Sequence, residues 1–312
     1  PRQQFNVTSY GAMALAIITL EAFPGMWINA FIVCVLCIAW VKRKILNSNE
    51  KILLLLGCFR FWCLCFSWIY VFVSEIFPYY LLAYPIFQLL QGTYSFFNCS
   101  NLLVSACLCD FYCIKIATFR NSFFSYLKVK IDRMVPWLLL GSVIFSLIIG
   151  ILVYNTIDKV VCKNLNFTYP ERLWKATIEI EEHFFPLYFL TGFIFTTSFM
   201  VVIFSAVFLL FSLWRHKCKM QTNFMNSLSM DAHIRAMKSI LSFFIMYSIN
   251  FMFLILTLVY SMTYQNHIIF LVHLIQYAFP GVHSLILILS NPRLEKTLLR
   301  ILSCAKCKLC MR

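Results

Sequence analysis

Charge is scarce in this chain, and acidic charge is scarcest. Only 12% of its 312 residues are Asp, Glu, Lys or Arg, and 12 acids stand against 26 Lys and Arg. Soluble domains carry about 25% charged residues, so a water-facing surface cannot be built from this composition. Glycine is also rare, at 8 residues, which leaves few close seams of small residues between helices. No Gly-rich phosphate loop, metal-ligand helix motif or Ser-His-Asp set is discernible, so nothing points to an enzyme or to a cofactor. What is abundant is apolar: 62% of residues are hydrophobic and 33 are Phe. Runs of about 20 such residues read as membrane-crossing helices. One all-α membrane domain is expected, with no room for a sizeable soluble domain.

The 14 cysteines lie almost wholly in apolar runs or at basic ends, and only Cys162 falls in an expected outer loop, so no disulfide is implied. A cleavable signal peptide is not expected, and the first helix would act as its own insertion signal. Cys304, Cys307 and Cys310 have a metal-like spacing but no fourth ligand nearby. They follow a basic amphipathic stretch, so palmitoylation or unmodified surface thiols are the two readings.

Seven spans are expected: about Met13 to Val41, Ile52 to Val73, Tyr84 to Phe119, Met134 to Tyr154, His183 to Trp214, Asp231 to Ser261 and His267 to Ser290. Pro136 would sit in the first turn of the fourth, where its missing N–H matters least. Asn291-Pro292 stops the seventh. The stripe Leu294, Leu298, Leu299, Ile301 and Leu302 then predicts an amphipathic helix on the membrane surface. Twenty of the 26 Lys and Arg fall around the loops after spans one, three, five and seven, and only five on the other side. That asymmetry places these loops in the cytoplasm and the N-terminus outside. It also explains the +14 net charge without nucleic acid. The sequons at Asn6 and Asn166 fall on the outer side, as glycosylation requires. The expected division is an extracellular segment 1–12, a seven-span domain 13–290 and a cytoplasmic helix and tail 291–312.

Three ionisable residues lie inside spans: Glu21, Arg60 and Asp110. Such groups are costly in hydrocarbon and face the bundle interior. Asn29, Arg60 and Ser284 are expected to bridge spans one, two and seven, with Glu21 packed against the second or seventh. A packing knot is the preferred reading of this polar network. Asp110 either pairs with Lys115, pairs with Arg235 or Lys238, or belongs to a solvated helix exit. Pairing would hold a resting state closed. The outer half of the third span offers Gln88, Gln91, Thr93, Tyr94, Asn98 and Ser100. Further outer polar groups are Glu182, His183, Asn250, Tyr260, His267, His273 and Gln276. An apolar pocket with a few such anchors is the default small-molecule site, although each residue taken singly reads as an interhelical hydrogen bond.

Six motifs in order carry a resemblance. Glu21, Gly25, Asn29, Phe31 and Ile32 stand in E-x3-G-x3-N-x-F-I. Leu53, Leu56 and Arg60 stand in L-x2-L-x3-R, with Phe59 in place of the usual Ser. Phe111 to Phe119 reads F-Y-x2-K-I-A-x-F, followed by Arg120 in place of Ser. Phe211 to His216 with Lys219-Met220, and Ala232 to Lys238, frame the fifth and sixth spans. Pro280, His283-Ser284, Leu287-Ile288 and Asn291 to Leu294 close the seventh. The chain resembles the type 2 taste receptors, the bitter taste receptors, which are seven-helix G-protein-coupled receptors of the plasma membrane.

The resemblance implies a receptor for small bitter organic compounds, coupled to a heterotrimeric G protein of gustducin or inhibitory type. It implies ligand contacts at Tyr94, Asn98, Asn250, His273 and Gln276. Tyr94 and Leu103 replace tryptophans, His273 stands where Glu is common, and Asn250 lies near a position that is often Tyr. Basic groups at Lys115, Arg120, His216, Lys219, His233, Arg235 and Lys238 would face the G protein. Two other readings are kept. A vomeronasal-type receptor should lack the His-Ser pair and the Phe-Tyr-x2-Lys-Ile-Ala run. A transporter would need charges along a path and usually a repeat, and neither is visible.

Overall fold

The computed structural model describes residues 9–77, 85–116, 122–164, 192–212 and 266–310, with helical residues also at 189, 214 and at several positions between 241 and 256. Among the described residues there is no strand. The helices are α1 (Ser9–Arg43), α2 (Ser48–Ile76), α3 (Ile86–Ile116), α4 (Ser122–Asn164), α5 (Gly192–Ser212), α6 (Asn266–Ser290) and α7 (Pro292–Cys310). Five of them, α1 to α5, are long and apolar enough to cross a membrane. α6 corresponds to the seventh expected span, and its stretch Tyr277–Ser290 is a shorter apolar helix. The sixth expected span falls mostly outside the described residues.

Hydropathy and burial run in opposite directions. α3 has the lowest mean hydropathy of the five, 1.3, and is the most buried. α4 reaches 2.4 and is the least buried, with Trp137, Leu140, Ile144 and Ile151 exposed. A helix surrounded by helices can carry polar groups, whereas one facing lipid must be apolar nearly all round. α3 therefore sits centrally, packed on α2 and α4, while α1 packs on α2 and α6. One core cluster, at the end where Lys42 and Lys115 lie, joins Ile32, Leu53, Leu108, Val135, Leu287 and Leu294. A second joins Leu102, Ile149, Phe195 and Phe279. Between α2 and α3 the seam is aromatic: Phe97 stacks on Phe66 at 5.5 Å and on Trp62 at 6.3 Å.

α4 departs from expectation. Its helix starts at Ser122, not near Met134, and runs on to Asn164. Pro136 is thus inside the helix rather than in its first turn. A proline there deprives the carbonyl four residues earlier of its N–H donor. That carbonyl belongs to Asp132, and the Ser48 hydroxyl donates to it at 3.5 Å. A neighbouring helix thus supplies the missing donor, which is how proline is accommodated within apolar surroundings.

The scarce glycines are concentrated at two crossings. A Cβ on Gly281 would lie 3.1 Å from the Gly25 Cα, and one on Gly150 would lie 2.9 Å from the Gly92 carbonyl oxygen. Backbone therefore touches backbone between α1 and α6, and between α3 and α4. Gly141, on the exposed side of α4, has nothing within 4 Å of its Cβ position. In a helix, Ala is favoured over Gly by roughly 0.5–1 kcal/mol, while overpacking costs about 1–3 kcal/mol. Gly150→Ala is therefore expected to lower the thermal stability of the purified protein and Gly141→Ala to raise it slightly. Equal shifts in the two melting curves would contradict the assigned α3–α4 seam.

Candidate functional site

Arg60 lies at the centre of the bundle with no solvent exposure. Its Nε donates to Asn101 Oδ1 at 2.9 Å, one terminal nitrogen to Ser284 Oγ at 2.9 Å, and the other to Ser105 Oγ at 3.2 Å. The last also sits 2.6 Å from His283 Nδ1. Guanidinium only donates, so Nδ1 of His283 must be the acceptor and the ring proton resides on Nε2. Ser284 in turn donates to Asn29 Oδ1 at 2.7 Å, and Asn29 Nδ2 donates to the Gly25 carbonyl at 2.8 Å. One cation thereby ties α1, α2, α3 and α6 together through neutral partners.

The local sequence places these groups. Asn101 and Ser105 are four residues apart on α3 and so share a face. His283 and Ser284 follow Gly281, where α6 runs closest to α1. The structure brings together Asn29, Arg60 and Ser284, as the sequence reading grouped them, and adds Asn101, Ser105 and His283. The i, i+4 pair Asn101 and Ser105 was the signal for the first two. Glu21 is not part of the cluster. It stands two turns away from Asn29 on α1, and its buried Oε2 has no partner among the described residues.

Asp110 and Lys115 do not pair. The Ser205 hydroxyl of α5 donates to Asp110 Oδ1. Lys115 Nζ instead donates to both oxygens of Asp132, each at 2.9 Å, and lies 5.0 Å from the Phe111 ring centre. The α4 extension explains the difference, because it carries Asp132 to the end of α3 where a loop was expected. Arg235 and Lys238, the other partners considered for Asp110, lie outside the described residues.

At the same end, the Glu50 carboxylate has two tasks. Oε2 accepts the Asn47 N–H at 3.1 Å and so closes the first turn of α2. Oε1 accepts from Arg293 of α7 at 2.5 Å. The side chain of Asn291 accepts the Arg293 N–H at 3.1 Å at the start of α7, and Pro292 occupies the position where its absent N–H is harmless. The apolar stripe of α7 divides. Leu294 is buried and Leu298 packs on the core, whereas Leu299, Ile301 and Leu302 are exposed. Cys304 is exposed, and nothing is described of the side chains of Cys307 and Cys310.

Of the expected ligand contacts, Tyr94 and Asn98 are half-buried one turn apart on α3. Asn98 makes no side-chain hydrogen bond among the described residues. His273 and Gln276 belong to α6, but their side chains are not described, and Asn250 lies outside the described residues. So do Asn6, Asn166, Arg120, His216, Lys219 and His233.

These features define a multi-pass helical membrane protein whose buried polar centre is a packing knot. The chain belongs to the type 2 taste receptor family, whose profile, Taste receptor protein (TAS2R), matches residues 7–306. It is 30% identical over 299 residues to Taste receptor type 2 member 2 of Homo sapiens, covering 95% of this chain and 97% of that protein. Taste receptor type 2 member 41 of Mus musculus is 31% identical over 298 residues, covering 92% and 94%. The family consists of multi-pass membrane receptors that couple to G proteins and are not enzymes.

Removing a partner from a buried donor leaves a penalty of about 1–3 kcal/mol. Ser284→Ala, which strands both Arg60 and Asn29, and Asn101→Leu are each expected to lower the melting temperature of the purified protein. Thr197→Ala removes an exposed hydroxyl that bonds only within its own helix, and should leave it nearly unchanged.

Proposed function

We propose that this protein is a plasma-membrane receptor for small bitter organic compounds, with seven spans and its N-terminus outside, acting through a heterotrimeric G protein of gustducin or inhibitory type. In this reading residues 1–12 are extracellular, 13–290 form the receptor domain, and 291–312 lie at the cytoplasmic membrane surface. The placement of Lys and Arg and of the sequons Asn6 and Asn166 supports that orientation. Both sequons would carry glycans. The three C-terminal cysteines would be palmitoylated, and exposure of Cys304 beside the apolar residues of α7 is compatible with that.

The observation that carries the ligand assignment is Asn98. Its amide is half-buried on the central helix and free of side-chain hydrogen bonds among the described residues, one turn from the aromatic Tyr94. An apolar pocket with one uncommitted polar anchor suits a small organic ligand. Asn250, His273 and Gln276 would complete the pocket. In a calcium-release assay with a matched G protein and a broad panel of bitter compounds, the protein should respond. Asn98→Ala should cut agonist potency at least tenfold with normal surface expression. Superimposable dose–response curves would remove Asn98 from the pocket.

Agonist binding would shift the ensemble toward a state in which the cytoplasmic ends of the third, fifth and sixth spans accept the G protein. Lys115 would take part, with Arg120, His216, Lys219, His233, Arg235 and Lys238. Its pair with Asp132 is about half exposed on both sides. Exposed pairs contribute roughly 0.2–1 kcal/mol, so Lys115 can exchange Asp132 for an acidic group on the G protein at little loss. Lys115→Ala should lower maximal coupling while Asp132→Ala preserves it. Equal losses in the two variants would mean that the pair serves only the receptor's own structure.

A further inference from the structure

We propose that a cavity between α3 and α4, near the end carrying Lys115, is a second binding site, open to lipid, for a small lipophilic ammonium compound. It encloses about 110 Å³. An engineered apolar cavity of about 150 Å³ holds a whole benzene ring, so this smaller space takes a branched alkyl group, or a single ring that protrudes through the mouth beside Met134 and Leu138. Ile131, Val135 and Leu139 of α4 line it and are themselves almost wholly buried, at 2%, 2% and 7% exposure. They hold a fixed wall rather than a gap that collapses freely. Met134 and Leu138 also line it, yet are 38% and 42% exposed on the lipid side of α4. The mouth therefore faces hydrocarbon, and an occupant must arrive through the membrane.

Asp110 is the one acidic or basic side chain among the lining residues. One carboxylate oxygen accepts the Ser205 hydroxyl, and the other takes no hydrogen bond among the described residues. The nearest basic group on its own helix, Lys115, is engaged by both oxygens of Asp132. The cavity thiol, Cys107, is occupied with Ser142 at 3.6 Å. A carboxylate in an apolar pocket is stabilised most by a cation that hydrogen-bonds to it. A protonated amine with one compact apolar group satisfies both the wall and the carboxylate. The site is separate from the ligand pocket proposed above: Asp110 lies twelve residues beyond Asn98, about 18 Å along a helix.

The test uses the full-length protein in phosphatidylcholine nanodiscs, with benzylamine as probe and benzyl alcohol as its neutral counterpart. Thermal unfolding reads binding without any G protein, so failure here and failure of the receptor reading remain distinct. Benzylamine should raise the melting temperature saturably, and benzyl alcohol should bind at least tenfold more weakly. Asp110→Asn and the cavity-filling Leu139→Phe should each weaken benzylamine binding at least tenfold, whereas Asn98→Ala should leave it unchanged. Leu138→Trp, which blocks the mouth without entering the core, serves where the other variants do not fold. The proposal is overturned by no shift in the wild-type protein, by equal shifts with the alcohol, or by full binding in a folded Asp110→Asn or Leu138→Trp.

Discussion

A guanidinium sits in the middle of this bundle with no carboxylate beside it among the described residues. Moving a lone charge out of water is strongly unfavourable unless its donors are met. Arg60 has three nitrogens, and each is met by an amide, hydroxyl or imidazole from α3 or α6. The constraint is geometric. Asn101 and Ser105 must share a face of α3, His283 must present the unprotonated Nδ1, and Ser284 must bond in two directions. Sliding α3 or α6 by one turn would strand the cation. The register of four helices follows from keeping that one group satisfied.

The aromatic and aliphatic packing fills the space this constraint leaves. α2 and α3 interleave Phe59, Trp62, Phe66, Phe96 and Phe97, while α1 and α6 meet through glycine. Large side chains supply dispersion contact where the helices stand apart, and backbone contact replaces them where they cross closely.

Much of this was legible in the residues. Apolar runs gave α1, α2, α3 and α6 to within a few positions at their described ends, and the few polar groups inside those runs pointed to the Arg60 centre. Three things were not legible. The start of α4 was hidden because Lys128, Lys130 and Arg133 read as loop, although they lie on the first turns of the same helix that carries the apolar span. Lys115 was one of three alternatives considered for Asp110, while its actual partner, Asp132, comes from another helix. The double role of Glu50 was missed although Asn47 and Glu50 have capping-box spacing, because the Arg293 contact spans 243 positions. In each case local patterning is readable, and contact between distant segments is not.

The glycine crossings have a bearing on how such a chain can change over generations. At Gly281, Gly92 and Gly150 space is limited by neighbouring main chain and at Gly25 by Leu64, so a larger residue there requires its neighbours to shift. The lipid side of α4 has the opposite character: Trp137, Leu140, Ile144 and Ile151 are about half exposed or more, so their shapes are less constrained and other apolar side chains can serve. Sequence drift can therefore run freely around the outside of the bundle while its framework of crossings stays fixed. That division lets a receptor scaffold diverge widely in composition and still keep α3, with Tyr94 and Asn98 upon it, in one place.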